Sequence, residues 1–235
     1  MGNSVIITYV FGSYSENNRL VFARGREVMI NSVIFDIDGT ITDTEYPAME
    51  ALRITLEQKA GLCYTHEQLK KYFGIPSVDT LLALNVPDPD GSIVQSWSNL
   101  FCDMAKENTK VFDEIVPVLD ILKANKITLG VVTSKNKMEF NESFVPLGLC
   151  DYFKACVDSE MTEKHKPFAD PLNKFFELTG AFKQNALYIG DSIFDYQAAR
   201  AAGIKFALAG WGCCDPEGIF PDYYFHRPTD LLNLL

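Results

Sequence analysis

Five apolar runs too short for helices, with stretches of helical periodicity between them, constrain this chain more than any other feature. They are Ser32–Phe35 (SVIF), Ile127–Ser134 (ITLGVVTS), Phe153–Ser159 (FKACVDS), Asn185–Ser192 (NALYIGDS) and Ile204–Gly210 (IKFALAG). Near-continuous apolar runs of this length suit strands buried on both faces. Glu114–Lys126, Lys137–Leu149, Asp170–Gly180 and Ile193–Gly203 read as the intervening helices, the last two stopped by their glycines. Such alternation predicts an α/β fold, a doubly wound parallel sheet with helices on both faces. Asp222–His226 and Pro228–Leu235 add an extended run and a short helix at the end.

The alternation is interrupted once. Ala48–Gly61, Thr65–Gly74, Ser77–Leu84 and Ser92–Thr109 all have helical patterning, with Pro87, Pro89 and Gly91 separating the last two. The expected organisation is therefore a catalytic core formed by 29–47 and 110–235, with an all-helical cap inserted at 48–109. Trp97, Phe101 and Met104 share a helical face and are expected in the cap's core, while Tyr72, Phe73 and Gly74 are candidates to line an entrance. Residues 1–28 lack a basic start followed by a long apolar stretch, so they are no signal peptide, and Ile6 breaks the myristoylation pattern. Met29 stands just ahead of the first strand, and 1–28 are expected to be an extension dispensable for folding.

In doubly wound folds ligands bind at the carboxyl ends of the strands. There the first strand ends in Asp36-Ile37-Asp38, the second in Thr133-Ser134, and the NALYIG strand in Gly190-Asp191, with Asp195 one helical turn further on. Residues two apart on an extended chain point the same way, so Asp36 and Asp38 can face one site. Two such carboxylates repel, and a bound cation would offset their charge. Lys166 precedes a predicted helix and can join them. A hard cation held by carboxylates with open water positions is how magnesium sits beside a phosphate. Phosphoryl transfer follows as the expected chemistry: one carboxylate attacks, the other moves protons, and Thr133 and Lys166 hold the phosphate oxygens.

Composition narrows the partners. Formal net charge is −10, which argues against nucleic acid or an anionic membrane surface as a partner, and no apolar run approaches the roughly 18 residues of a membrane span. Six cysteines without a C-x-x-C pair suit buried thiols in a reducing, cytoplasmic location, with adjacent Cys213-Cys214 a minor candidate for redox or soft-metal chemistry. No G-x-x-x-x-G-K-[ST] loop occurs, which excludes a P-loop nucleotidase.

D-x-D-G-T at 36–40, the apolar strand ending in Thr133, the lysine of KPFADP and GDSIFD at 190–195 together resemble the four motifs of the haloacid dehalogenase superfamily, in that family's order. The helical insert between the first and second resembles its helical-cap members, such as phosphoglycolate phosphatases and β-phosphoglucomutase. The resemblance implies a Rossmann-like core with Asp36 as a nucleophile forming an aspartyl-phosphate and Asp38 as general acid/base. It implies Thr133, Ser134 and Lys166 on the phosphate, and Mg2+ held by Asp36, the carbonyl of Asp38 and Asp191, with Asp195 ligating the ion or orienting its neighbours. His165 and Ala169 replace the glycine and second proline usual around the lysine. The implied function is a magnesium-dependent phosphatase of a small phosphorylated metabolite, of the sugar phosphate or phosphoglycolate type. A phosphomutase is the alternative, and a non-catalytic binding protein on the same scaffold a more distant one. No sequence signal speaks to oligomeric state.

Overall fold

The computed structural model describes residues 30–235, so the extension expected at 1–28 lies outside the described residues. Six strands form one parallel sheet: β1 (Ser32–Phe35), β4 (Thr128–Val132), β5 (Ala155–Val157), β6 (Ala186–Gly190), β7 (Lys205–Ala209) and β8 (Tyr223–Phe225). Their order is β5-β4-β1-β6-β7-β8, with β1 hydrogen-bonded to β4 on one side and β6 on the other. Chain order reverses at β1, so a crevice opens beyond its carboxyl end.

The continuous apolar patterning has a direct structural cause. Val33, Phe35, Leu187, Ile189, Ala207 and Ala209 face one layer with α5 (Ile115–Ala124) and the C-terminal 3₁₀ segment Pro228–Leu234. Their neighbours Ile34, Tyr188, Phe206 and Leu208 face the opposite layer with α7 (Asp170–Thr179) and α8 (Ile193–Ala202). Successive side chains of a strand point to opposite faces, and here both faces are dry. The segment predicted as one helix over 137–149 is instead a short α6 (Lys137–Glu139), a π-turn (Phe140–Phe144) and a 3₁₀ turn at Val145–Leu147. Pro146 lacks the amide that a continuing α-helix would require.

Helices α1 (Glu45–Ala60), α2 (His66–Lys70), α3 (Ser77–Ala83) and α4 (Ser92–Asn108) build a cluster of their own around Leu52, Leu56, Leu69, Trp97 and Phe101. The chain leaves and rejoins the core through β2 (Thr42–Asp43) and β3 (Lys110–Val111), which pair antiparallel. Thr65 begins α2 with a reciprocal capping box to Gln68, as its sequence predicts.

Packing beneath the sheet is tight at Gly130, where a Cβ would stand 1.9 Å from Phe175 Cε2. Gly130→Ala should therefore cost about 1–3 kcal/mol through overpacking, measured by urea denaturation. Adding Phe175→Leu to that variant should recover part of the loss, because the two changes share one space.

Candidate active site

Three adjacent strands deliver the site. Asp36 and Asp38 follow β1, Thr133 through Lys135 follow β4, and Asp191 follows β6. Between the two aspartates and β2 the chain makes a tight loop in which Ile41 and Thr42 amides both donate to the Ile37 carbonyl. Gly39 adopts φ +74°, and a Cβ there would lie 2.3 Å from Asp191 Oδ2. Only glycine lets the loop press against that carboxylate.

Lys166 is the electrostatic centre. The residue is 4% exposed, and its ammonium donates to Asp36 Oδ1 at 2.8 Å and Asp195 Oδ1 at 2.6 Å, with the Tyr188 hydroxyl at 3.3 Å. Burial alone would lower its pKa, but Asp195 and Asp36 outweigh burial and raise it. Asp195 is fully enclosed and accepts four bonds, from Lys166, the Tyr188 hydroxyl (2.7 Å), the Ser192 hydroxyl (2.5 Å) and the Ser192 amide (3.1 Å). Those donors occupy a carboxylate's capacity and tie Asp195 to Lys166. Burial drives the Tyr188 hydroxyl's pKa well up, with Asp195 adding to it, so the proton stays available for that bond.

Asp36 and Asp191 are under the opposite stress. Burial pushes the Asp36 carboxyl up to about 7, an effect that Lys166 only partly offsets. Burial, then Asp195 and Asp36, raise Asp191 well above the usual carboxylate range. Oxygens of Asp36, Asp191 and Asp195 all lie within 4.8 Å of one another, the one such cluster among the described residues. A donor set made only of carboxylates suits a hard divalent cation, and buried carboxyls with raised pKa values are what a cation's charge would relieve.

The Asp38 carboxylate does not join that cluster. Its Oδ1 accepts from Thr44 Oγ1 at 2.6 Å and forms an ion pair with Lys135 Nζ at 2.9 Å. Its side chain is thus held between Thr44 and Lys135. Thr133 is buried at the end of β4, where its hydroxyl accepts from the Lys135 amide at 3.2 Å. Ser134 Oγ is buried with no hydrogen-bond partner.

The insert covers these residues. A cavity of about 100 Å³ is lined by Asp36, Asp38, Ser134, Lys135 and Lys166 below and by Met49, Tyr72, Phe73, Gly74, Trp97 and Phe101 above. Tyr72, Phe73 and Gly74 thus take the lining position expected of them. Trp97 and Phe101 belong to the insert's core and also wall the cavity. Gly74, at φ +80°, brings the covering loop so close that a Cβ would sit 2.9 Å from Ser192 Cβ. On the insert's other contact, Ser98 of α4 donates to Glu139 of α6. His165 is exposed and lines a wider groove beside the cavity. Burial pushes the Cys213 and Cys214 thiols up to about 12 and about 11, so they are poor thiolates.

Three contributors escape sequence reasoning. Lys135 directly follows the strand-end Thr133-Ser134 pair and was the most accessible of them: a lysine at the carboxyl end of a central strand is a signal in itself. Tyr188 looks like an ordinary strand aromatic. Thr44 is one of several hydroxyl residues in a polar turn.

Comparison with known proteins agrees with this geometry. A family model described as haloacid dehalogenase-like hydrolase matches residues 33–209. A provisionally named pyrophosphatase PpaX of Caldanaerobacter subterraneus is 32% identical over 88% of this chain and 94% of its own length. A phosphoglycolate phosphatase of Aquifex aeolicus is 31% identical over 86% and 95%. The crystal structure of a provisionally named phosphoglycolate phosphatase from Lactobacillus plantarum superimposes with a TM-score of 0.83 at 26% identity, covering 88% of this chain and all of that one.

The raised carboxyls give a signed expectation. A folded-state pKa above the unfolded value stabilises below the unfolded value and is lost as pH rises through the folded one. Metal-free protein should therefore lose stability between roughly pH 4 and the Asp36 value of about 7. Asp191→Asn should flatten that loss and raise the metal-free melting temperature in alkaline buffer by about 2–6 °C. Thermal melts of both proteins across pH check it.

Proposed function

Because the chain belongs to the haloacid dehalogenase-like hydrolases, we propose that it is a magnesium-dependent phosphatase of a small phosphorylated metabolite, working through an aspartyl-phosphate on Asp36. As in its relatives, the substrates are small phosphorylated compounds; sugar phosphates, phosphoglycolate and pyrophosphate define the range to be tried. The observation that carries the reading is the division of labour among the carboxylates. Asp36 lies at the cavity floor with one oxygen on Lys166, Asp191 stands beside it, and Asp38 points to the cavity's other side.

Asp36, Asp191 and the Asp38 carbonyl would hold Mg2+, with Asp195 steadying Lys166 next to them. When bound, the ion neutralises charge on the phosphate and on the attacking carboxylate. Lys166 holds Asp36 in place through its Oδ1 and leaves the other oxygen to attack phosphorus. The Thr133 hydroxyl, which accepts from the Lys135 amide and keeps its own proton to donate, and the Ser134 backbone amide would serve the phosphoryl oxygens. Asp38, steered by Thr44, protonates the departing oxygen and then takes a proton from the water that opens the aspartyl-phosphate. The helical cap over 48–109 excludes water while the first transfer occurs, and must open to release product.

A phosphomutase uses the same residues and differs only in where the phosphoryl group goes next. We assign residues 1–28 no part in this chemistry. No described helix is long and apolar enough to cross a membrane; with all six cysteines free, we place the reaction in the cytoplasm.

The test is phosphate release from a panel of small phosphate esters and pyrophosphate, with and without magnesium. Turnover should vanish on chelation and fall at least about 10³-fold in Asp36→Ala, with loss of acid-stable phosphoenzyme. Asp38→Asn should lower kcat by about 10²–10⁴-fold while still accepting phosphate from good leaving groups. Phosphoenzyme formation without phosphate release, relieved by a bisphosphate primer, would assign the mutase. No phosphoenzyme and no release from any member of the panel would overturn both.

A further inference from the structure

We infer that Lys135 and Ser134 form a subsite for a negative charge on the leaving group, so that the preferred substrate is a phosphate ester or anhydride whose departing half is itself a small anion. The inference rests on the phosphatase reading above and narrows its substrate class.

It starts from two groups whose hydrogen-bonding capacity is unspent. Lys135 Nζ and Ser134 Oγ are both buried and both lack a hydrogen-bond partner. The Lys135 side chain is 3% exposed, a costly position for an ammonium that is not hydrogen-bonded. Its nearest anion, Asp38 Oδ1 at 2.9 Å, lies outside hydrogen-bond directions. Its other neighbour is the face of Phe101, 4.3 Å from the ring centroid. Both groups line the cavity that holds Asp36.

The remaining charges around that cavity are accounted for. Lys166 is committed to Asp36 and Asp195. Glu139 accepts from the Asn136 amide and from Ser98. Asp38 is held by Thr44. Among the described residues, Lys135 is thus the one cation lining the cavity whose N–H groups have no hydrogen-bond acceptor, and it sits on the Asp38 side, where the leaving group must stand to receive a proton.

Shape and polarity point the same way. The wall that the cavity shares with Lys135 includes Met49, Phe73, Trp97 and Phe101, and each sugar hydroxyl buried against these side chains would lose a water partner without replacement. The cavity's 100 Å³ is well below the roughly 300–1,000 Å³ of pockets for drug-sized ligands. A carboxylate or a phosphate, one or two atoms beyond the scissile oxygen, fits both the room and the unpaired donors. Charge-assisted bonds to such a group would also draw Lys135 off Asp38, leaving that carboxyl free to act on the bridging oxygen.

Paired substrates of equal size test this. With the magnesium-loaded full chain, kcat/KM is measured for 2-phosphoglycolate against 2-hydroxyethyl phosphate, and for pyrophosphate, in wild type, Ser134→Ala, Lys135→Met and Lys135→Arg. Wild type should favour phosphoglycolate over its neutral counterpart by at least about 100-fold. Lys135→Met should lower kcat/KM for the anionic pair by about 100-fold and that for 2-hydroxyethyl phosphate by less than about threefold, with Lys135→Arg keeping part of the preference, and Ser134→Ala should cost the anionic pair about tenfold more than it costs the neutral ester. Equal losses on charged and neutral substrates would overturn the subsite and leave Lys135 as a support for Asp38. So would a wild type that favours the neutral ester. Binding of the same two esters to Asp36→Asn, by calorimetry, separates the two levels of the argument. Charge-selective binding abolished by Lys135→Met upholds the subsite even if no substrate turns over, whereas turnover without such selectivity upholds the phosphatase and sinks the subsite.

Discussion

A single ammonium, that of Lys166, is shared at 2.8 and 2.6 Å between Asp36 and Asp195 where almost no solvent reaches. Desolvating three ions costs several kcal/mol each, about as much as their attraction returns, unless further hydrogen bonds complete the set. Tyr188 and Ser192 supply those bonds. Removing one partner from such a cluster typically costs about 3–5 kcal/mol, so the arrangement holds together as a unit. Much of the surrounding fold serves it: β6 carries Tyr188, the capping turn of α8 presents both Ser192 and Asp195, and the segment before α7 brings in Lys166.

That unit is left unbalanced where chemistry is to happen. Asp195 is saturated, while Asp36 and Asp191 sit close together with raised pKa values. The molecule thus concentrates its unfavourable electrostatics on the two carboxylates best placed to meet a cation and a phosphate, and keeps the rest satisfied. A cation bound there would return stability forfeited in the free protein, the usual relation between a functional site and its scaffold.

The sheet was legible because its strands are apolar on both faces, which leaves few other ways to bury Val33, Ile34 and Phe35 together. Helices α1 to α4 were legible from periodicity alone. The segment after β4 was not, because Pro146 and the π-turn break a pattern that reads as one helix. At the site, the aspartates and Lys166 stood out as charges at strand ends or beside a helix start. What sequence could not supply was direction: that the Asp38 carboxylate turns away from Asp36 and Asp191, or that Asp195 spends all its lone pairs on protein donors. Those depend on contacts between residues far apart in the chain, Lys166 with Asp36 and Thr40 with Asp191 among them, and no local pattern encodes them.

The insert departs and returns through two short strands hydrogen-bonded to each other, Thr42 opposite Val111 and Asp43 opposite Lys110. To the core, the whole excursion is therefore equivalent to a hairpin turn: its ends are already pinned side by side, and closing a longer loop there adds little entropic cost. As far as chain closure is concerned, the core is nearly insensitive to the length of what is inserted. Variation in the insert can redraw the wall of the cavity, residue by residue, while the charge cluster beneath it, built from core residues alone, stays as it is.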